Sequence, residues 1–325
     1  MMPFSRRAVL QGIAASSLAG SFASGAYGQS EVWPSRPIRW LVGVPPAGSA
    51  DPLTRAIADP LSKRLNQSFV IENKSGAAQA IAARDLALSP PDGHTLMTVA
   101  GPVVYANPTP IIGNGLDPVI QLVSQPMIIA GTVERPTKTL RDVIEAAKAA
   151  PDQWSYASAG GVGSSHHVAG ELLNLRAGTK IQHVPYRGGG AAMTDAISGQ
   201  IPLIIIGAGP VIPQLQAGKL RAYGLTTKSR LASLPDVPTI SEFGFSDFDL
   251  AQWFGVSVRS GTPQPIVQRL NSEINEILKT AAVQDMVTRL GAETVGGSAE
   301  KWGEIYADEQ RKWSGLVKQL NIPLQ

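Results

Sequence analysis

The sequence contains no cysteine. That absence excludes disulfides, thiolate metal sites, cysteine catalysis and a lipid anchor on cysteine in one step. Histidine is scarce, with four in 325 residues, and charged residues make up only 16% of the chain. The formal charge of +3 comes from 28 basic and 25 acidic residues. Arg6 and Arg7 are unaccompanied by any acid in the first 28 residues, which leaves the rest of the chain at 26 basic against 25 acidic residues, or +1. No block of basic residues marks a nucleic-acid or anionic-membrane partner, so no nucleic acid is expected to bind. Beyond the N-terminus no uninterrupted apolar run is long enough to span a bilayer. Nucleotide signatures are missing too: Gly161 to Ser165 lacks the lysine of a phosphate loop, and Gly43 to Gly48 lacks the G-x-G-x-x-G spacing.

What is present suits an α/β protein of about two domains, with 43% hydrophobic residues, 33 glycines and 25 prolines. Residues 1–28 are expected to be a cleaved export signal. Arg6-Arg7 precedes a mildly apolar stretch from Ala8 to Ala19, and Ala26-Tyr27-Gly28 has the small-x-small pattern of a signal peptidase site. The Ser5-Arg6-Arg7-Ala8-Val9-Leu10 run resembles a twin-arginine signal, with Val9 and Gln11 departing from it. The expected destination is the periplasm.

The mature chain is organised around Ile38 to Asp51, where an apolar run stops at Pro45-Pro46-Ala47-Gly48-Ser49-Ala50-Asp51-Pro52. This reads as a strand, a loop of small residues and a helix, with Asp51 as N-cap and Pro52 at the first helical position. Exposed backbone N–H groups beside a helix N-terminus suit an oxyanion without help from lysine or arginine. Related devices recur at Ser158 to His166, Tyr186 to Gly190 and Ile206 to Pro210. The intervening segments alternate in type: strands at Phe69–Ile71 and Thr95–Val99 flank a helix from Ala78 to Leu88, giving βαβαβ. A second series follows, in which Thr139 with Asp142 three positions on predicts a capped helix, and Ile201–Ile206 predicts a strand buried on both faces. Apolar runs at Pro126–Val133 and Trp253–Val258 are taken as crossings between two lobes. The expected division is therefore 29–129 with 256–325 in lobe 1, and 130–255 in lobe 2. Ser298 is the expected cap of the last helix.

Two catalytic readings compete with ligand binding. Ser164, Ser165 and His166 lie together in a glycine-rich loop, which admits a serine hydrolase acting through Ser165 and His166. Neighbours in sequence seldom form a catalytic pair, however, and no G-x-S-x-G elbow is nearby. His166, His167 and Glu171 raise a metal site, yet no third ligand is spaced to join His167 and Glu171, so no metal or other cofactor is expected. Several small-residue loops at strand ends fit a ligand clasped between lobes better, because ligands of open α/β sheets sit at the carboxyl ends of strands.

The segments Trp33-Pro34-Ser35-Arg36-Pro37-Ile38, Pro91-Asp92-Gly93-His94-Thr95-Leu96, Tyr156-Ala157-Ser158-Ala159-Gly160, Gly163-Ser164-Ser165-His166, His183-Val184-Pro185-Tyr186-Arg187-Gly188, Ala217-Gly218-Lys219-Leu220-Arg221-Ala222, Leu234-Pro235-Asp236-Val237-Pro238-Thr239 and Trp253-Phe254-Gly255 occur in one order along the chain. Together with the Pro45–Asp51 loop they resemble the Bug family, the periplasmic solute-binding subunits of tripartite tricarboxylate transporters. The resemblance implies an α/β, two-lobed Venus-flytrap fold of the type II-like class, each lobe a mostly parallel sheet flanked by helices. It further implies a monomeric receptor, without catalytic activity, for a small carboxylate that it delivers to a membrane permease or presents to a sensor kinase. By that analogy Ala47, Gly48, Ser49 and Asp51 pin a carboxylate, with Asp51 turned to its helix. Ser158, Gly163, Ser164, Ser165, His166, Tyr186, Arg187, Gly188 and Gly207 complete the site from the other lobe. Three departures from the family pattern stand out: Ala47 in place of a glycine, Pro52 at the helix start, and Ile205-Ile206-Gly207-Ala208 in place of a Met-Phe-Asp-type stretch. The last makes that wall more apolar and points to an aromatic or longer-chain carboxylate rather than aspartate or citrate.

Overall fold

The computed structural model describes residues 33–46, 49–103, 109, 111–186 and 188–323. The export signal, and Ala47, Gly48 and Arg187 of the expected site, lie outside the described residues.

The first lobe starts with β1 (Ile38–Val42), whose Ile38, Trp40, Leu41 and Val42 are all fully buried. Burial on both faces is what a central strand of a helix-covered sheet requires. β1 is followed by α1 (Ala50–Leu65), which buries Leu53, Ile57, Leu61 and Leu65 at helical spacing and ends at Asn66 in the left-handed region. The chain continues through β2 (Phe69–Asn73), α2 (Ala80–Leu88) and β3 (Thr95–Gly101), and both β2 and β3 pair parallel with β1. The expected helix from Ala78 begins instead at Ala80. Ala77, Ala78 and Gln79 all have positive φ, and a run of left-handed residues is incompatible with the right-handed helix.

After the two-residue β4 (Ile111–Ile112) comes β5 (Gly115–Thr132), 18 residues long. The second lobe adds α3 (Leu140–Ala149), β6 (Ser155–Ser158), α4 (Ser165–Ala177), β7 (Gln182–Pro185), α5 (Gly189–Ile197), β8 (Leu203–Gly207), α6 (Ile212–Gln216) and β9 (Leu220–Leu225). β10 (Ala251–Arg259) returns to the first lobe, where α7 (Gln264–Leu278), α8 (Ala281–Arg289), β11 (Glu293–Gly296) and α9 (Ala299–Gln319) finish the chain. The outer strands of each lobe are parallel, β6 lying between β7 and β8 as β1 lies between β2 and β3. The antiparallel pairs belong to the long strands that join them. β5 pairs with β10 from Leu116 to Pro126, then from Met127 onward with β8 and β9, so one strand serves both sheets.

Each lobe has its own core. Trp40, Leu53 and Ile57 pack with Leu270 and Ile274 of α7 and Val283 of α8 in the first. Tyr156, Leu172, Phe248 and Leu140 pack in the second, together with Trp313 and Val317 from the far end of α9. The near end of α9 places Trp302 and Tyr306 edge-on against Trp253 of β10. Among the described residues no helix is long and apolar enough to cross a membrane.

Candidate functional site

A cavity of about 1010 Å³ lies where the loops after β1, β3, β6 and β8 meet. Ser49, Gly163, Ser164, Ser165, His166 and Gly207 line it. Asp51, Ser158, Tyr186 and Gly188 are not among its lining residues. Each of the first three has its polar group engaged elsewhere, and the reasons are local.

The α1 helix begins two residues earlier than expected: Ser49 is its N-cap and Asp51 the second helical residue, not the cap. Pro52 costs no hydrogen bond there, because the first four N–H groups of a helix have no acceptor within it. The Asp51 carboxylate is held sideways, Oδ1 accepting from Arg55 Nε one turn on and from Asn73 Nδ2 at the end of β2, both at 3.0 Å. Ser49 makes no side-chain cap bond, and Ser49 and Ala50 face the cavity with the start of the helix.

The β6–α4 loop is braced from behind. Ser164 is the N-cap of α4, its Oγ accepting from His167 N at 3.3 Å and donating to the Gly161 carbonyl at 2.7 Å. Gly163 N–H donates to His167 Nδ1, and the His167 ring stacks on His183 at 3.8 Å. His183 Nε2 shares a 2.7 Å hydrogen bond with the Ser158 hydroxyl, which is fully buried. Burial and the neighbouring His167 hold His183 down to a pKa of about 4, so this stack is uncharged at neutral pH. His167 and Glu171 approach only to 4.0 Å, and the Glu171 carboxylate accepts instead from the Tyr156 hydroxyl at 2.7 Å. Tyr186 donates to Asp195 on α5 at 2.6 Å.

Ser165 and His166 do not form a nucleophile–base pair. Ser165 Oγ accepts from Gln252 Nε2 at 3.1 Å, and neither His166 ring nitrogen has a hydrogen-bond partner among the described residues. Burial lowers the His166 pKa to about 4, with Gln252 opposing, so the imidazole is neutral.

No Asp, Glu, Lys or Arg is found among the described lining residues. Three helix N-termini reach the cavity instead: α1 at Ser49–Ala50, α4 at Ser164–Ser165 and α5 at Gly189–Gly190. Val44, Pro102, Met193, Ile206, Pro210 and Phe254 supply an apolar surface. Sequence reasoning missed Gln79, Gln125, Gln214 and Gln252, which also line the cavity. Gln79 is committed to structure, its amide donating to the Ala100 carbonyl and accepting from Ala100 N. The available signal was a glutamine within a strongly apolar strand, as at Gln125 in Leu122-Val123-Ser124-Gln125-Pro126-Met127.

The model of the family described as "Tripartite tricarboxylate transporter family receptor" matches residues 53–322. Protein BugT of Bordetella pertussis is 30% identical over 303 residues, covering 91% of this chain and 93% of BugT. Among solved structures, R. palustris Rpa4515 with adipate superposes with a TM-score of 0.80 at 30% identity, over 90% of this chain and 100% of that one. MatC (Rpa3494) from Rhodopseudomonas palustris, with bound malate, superposes with a TM-score of 0.75 at 28% identity, over 87% and 99%. Lobe architecture, the loop-lined cleft and a match over most of the chain lead to one assignment: this protein belongs to the tripartite tricarboxylate transporter receptor family, the Bug-type periplasmic binding proteins.

Proposed function

We propose that the protein is a periplasmic receptor that binds a small carboxylate between its lobes and delivers it to a permease of the tripartite tricarboxylate type. The observation that carries this reading is the convergence of three helix N-termini on a cavity whose described lining has no charged side chain. Such a site favours an anion through backbone N–H groups and aligned peptide dipoles. The adipate and malate in two structural relatives support the same class of ligand. The apolar wall of Met193, Ile206 and Phe254 favours a ligand with a sizeable hydrocarbon part. The proposed lobes, 29–129 with 256–325 and 130–255, are supported by the change of sheet that β5 makes after Pro126.

Thermal melting of the chain from residue 29 against aliphatic and aromatic mono-, di- and tricarboxylates tests this. A ligand at a hundredfold excess over its Kd stabilises the native state by about 2.7 kcal/mol. We expect a clear rise in Tm with at least one longer-chain or aromatic carboxylate, recovered unaltered, and none with its methyl ester. Consumption of the compound, or no shift across the panel, would overturn the receptor reading.

A further inference from the structure

Two glutamines meet at the floor of the cavity, where β5 passes from one sheet to the other. Gln125 of β5 and Gln252 of β10 are direct cross-strand partners, and Met127, two residues on, pairs with Gly207 at the end of β8. Cross-strand partners leave a sheet on the same face. Both side chains therefore stand together beside Gly207.

The way each amide points is set by what takes its nitrogen. Gln125 Nε2 donates to the Leu290 carbonyl oxygen, and because a carbonyl only accepts, this bond fixes which end of the amide is which. Gln252 Nε2 donates to Ser165 Oγ at 3.1 Å. The Gln125 oxygen is thereby turned back to the cavity floor, with the Gln252 amide beside it. An atom in the position of a Gly207 Cβ would lie 3.0 Å from Gln125 Oε1 and 3.1 Å from Gln252 Oε1. Gln125 is only 1% exposed and lines the cavity, and the Gln252 side chain lies close enough to the His166 imidazole to oppose the lowering of its pKa. Other titratable groups do not alter the picture. His166, beside Gln252, is neutral and keeps one ring N–H, and no carboxylate or cation lines the described cavity.

An amide oxygen that faces the cavity accepts from a ligand that carries a donor, whereas a ligand that covers it without one leaves it desolvated and unpaired. A ligand carboxylate at this spot would face two partial negative charges after surrendering its water. An ammonium group would lack a balancing anion. We propose that Gln125 and Gln252 form a specificity site for an uncharged hydrogen-bond donor, so that the preferred ligand is a monocarboxylate bearing a hydroxyl or carboxamide rather than a plain dicarboxylate. This rests on the carboxylate-receptor reading and names the substrate class within it.

Isothermal titration of the chain with four probes of equal length is the test: hexanoate, adipate, 6-hydroxyhexanoate and adipic acid monoamide, repeated with the four- and five-carbon counterparts. At the best chain length the hydroxyl or amide probe should bind at least tenfold tighter than the dicarboxylate. In Gln125→Met, and independently in Gly207→Ala, whose new methyl occupies the contested spot, that ratio should fall below threefold. Melting curves of both variants report that they fold. A dicarboxylate that binds as tightly as its hydroxyl and amide analogues at every length overturns the proposal, as does a preference that survives both substitutions. Failure of every probe, including the unsubstituted acids, overturns the carboxylate reading itself and is distinguishable from a reversed order of affinities.

Discussion

His166 shows how much a single side chain can reveal about conditions. Its folded pKa is about 4, below the ordinary value near 6.5, because burial penalises the charged ring. Between those two values an unfolded chain takes up a proton that the native ring refuses. Stability therefore rises with pH across the window and is lost as pH falls from about 6.5 towards 4, by at most about 1.4 kcal/mol per pH unit for this one group. His183 and His167 are shifted in the same direction. Most carboxylates remain ionised in both states above about pH 5, so a series from pH 7 to pH 5 isolates the histidines. We expect the wild-type Tm to fall over that range, and the fall to be shallower in His166→Gln. Parallel curves for the two proteins would show that the buried ring is not the group responsible.

At the scale of elements, the helix caps make the simplest predictions. Thr139 accepts from Asp142 N while the Asp142 carboxylate accepts from Thr139 N, a reciprocal box at the start of α3. Its replacement by alanine should cost about 1 kcal/mol, read as a lower urea midpoint with an unchanged m value. That box was legible from two residues at fixed spacing, and so was the Ser298 cap of α9. Such signals are local, and locality is why they can be read. The α4 cap at Ser164 was harder, since Ser164 and Ser165 both suit the role and only the bond to His167 N chooses between them. The first half of β5 was missed because Asp117 and Pro118 interrupt its pattern, and its strand character comes from pairing with β10 more than a hundred residues later. Gln125 by itself stood out as a glutamine in an apolar strand, but its meeting with Gln252 was not legible, because the two become neighbours only through that pairing. The small-residue loops of the cavity were legible because glycine and serine cluster at strand ends. The turning of Asp51 to its own helix was expected and Arg55 holds it there, whereas the second tie, to Asn73 of the next strand, has no local signal.

For the molecule as a whole, α9 acts as a strut. Trp302 and Tyr306 pack beside Trp253, while Trp313 and Val317 complete the core of the second lobe. Truncating the fully buried Trp313 to alanine should destabilise by about 3–5 kcal/mol, measured by urea unfolding. Because the helix bridges both lobes, the fluorescence and circular-dichroism transitions of this variant should separate if the lobes then melt independently, and coincide in wild type. The order of the strands carries a further consequence, for the making of the protein. β10 sits between β3 and β5, so the two strands that flank it are joined only after residues 251–259 have been synthesised. The earliest-made lobe thus waits for the later one to be translated before its central sheet can close. Loop-closure entropy across that span makes the step slow, and a nascent chain halted before β10 would present two unpaired strand edges to chaperones or to other chains.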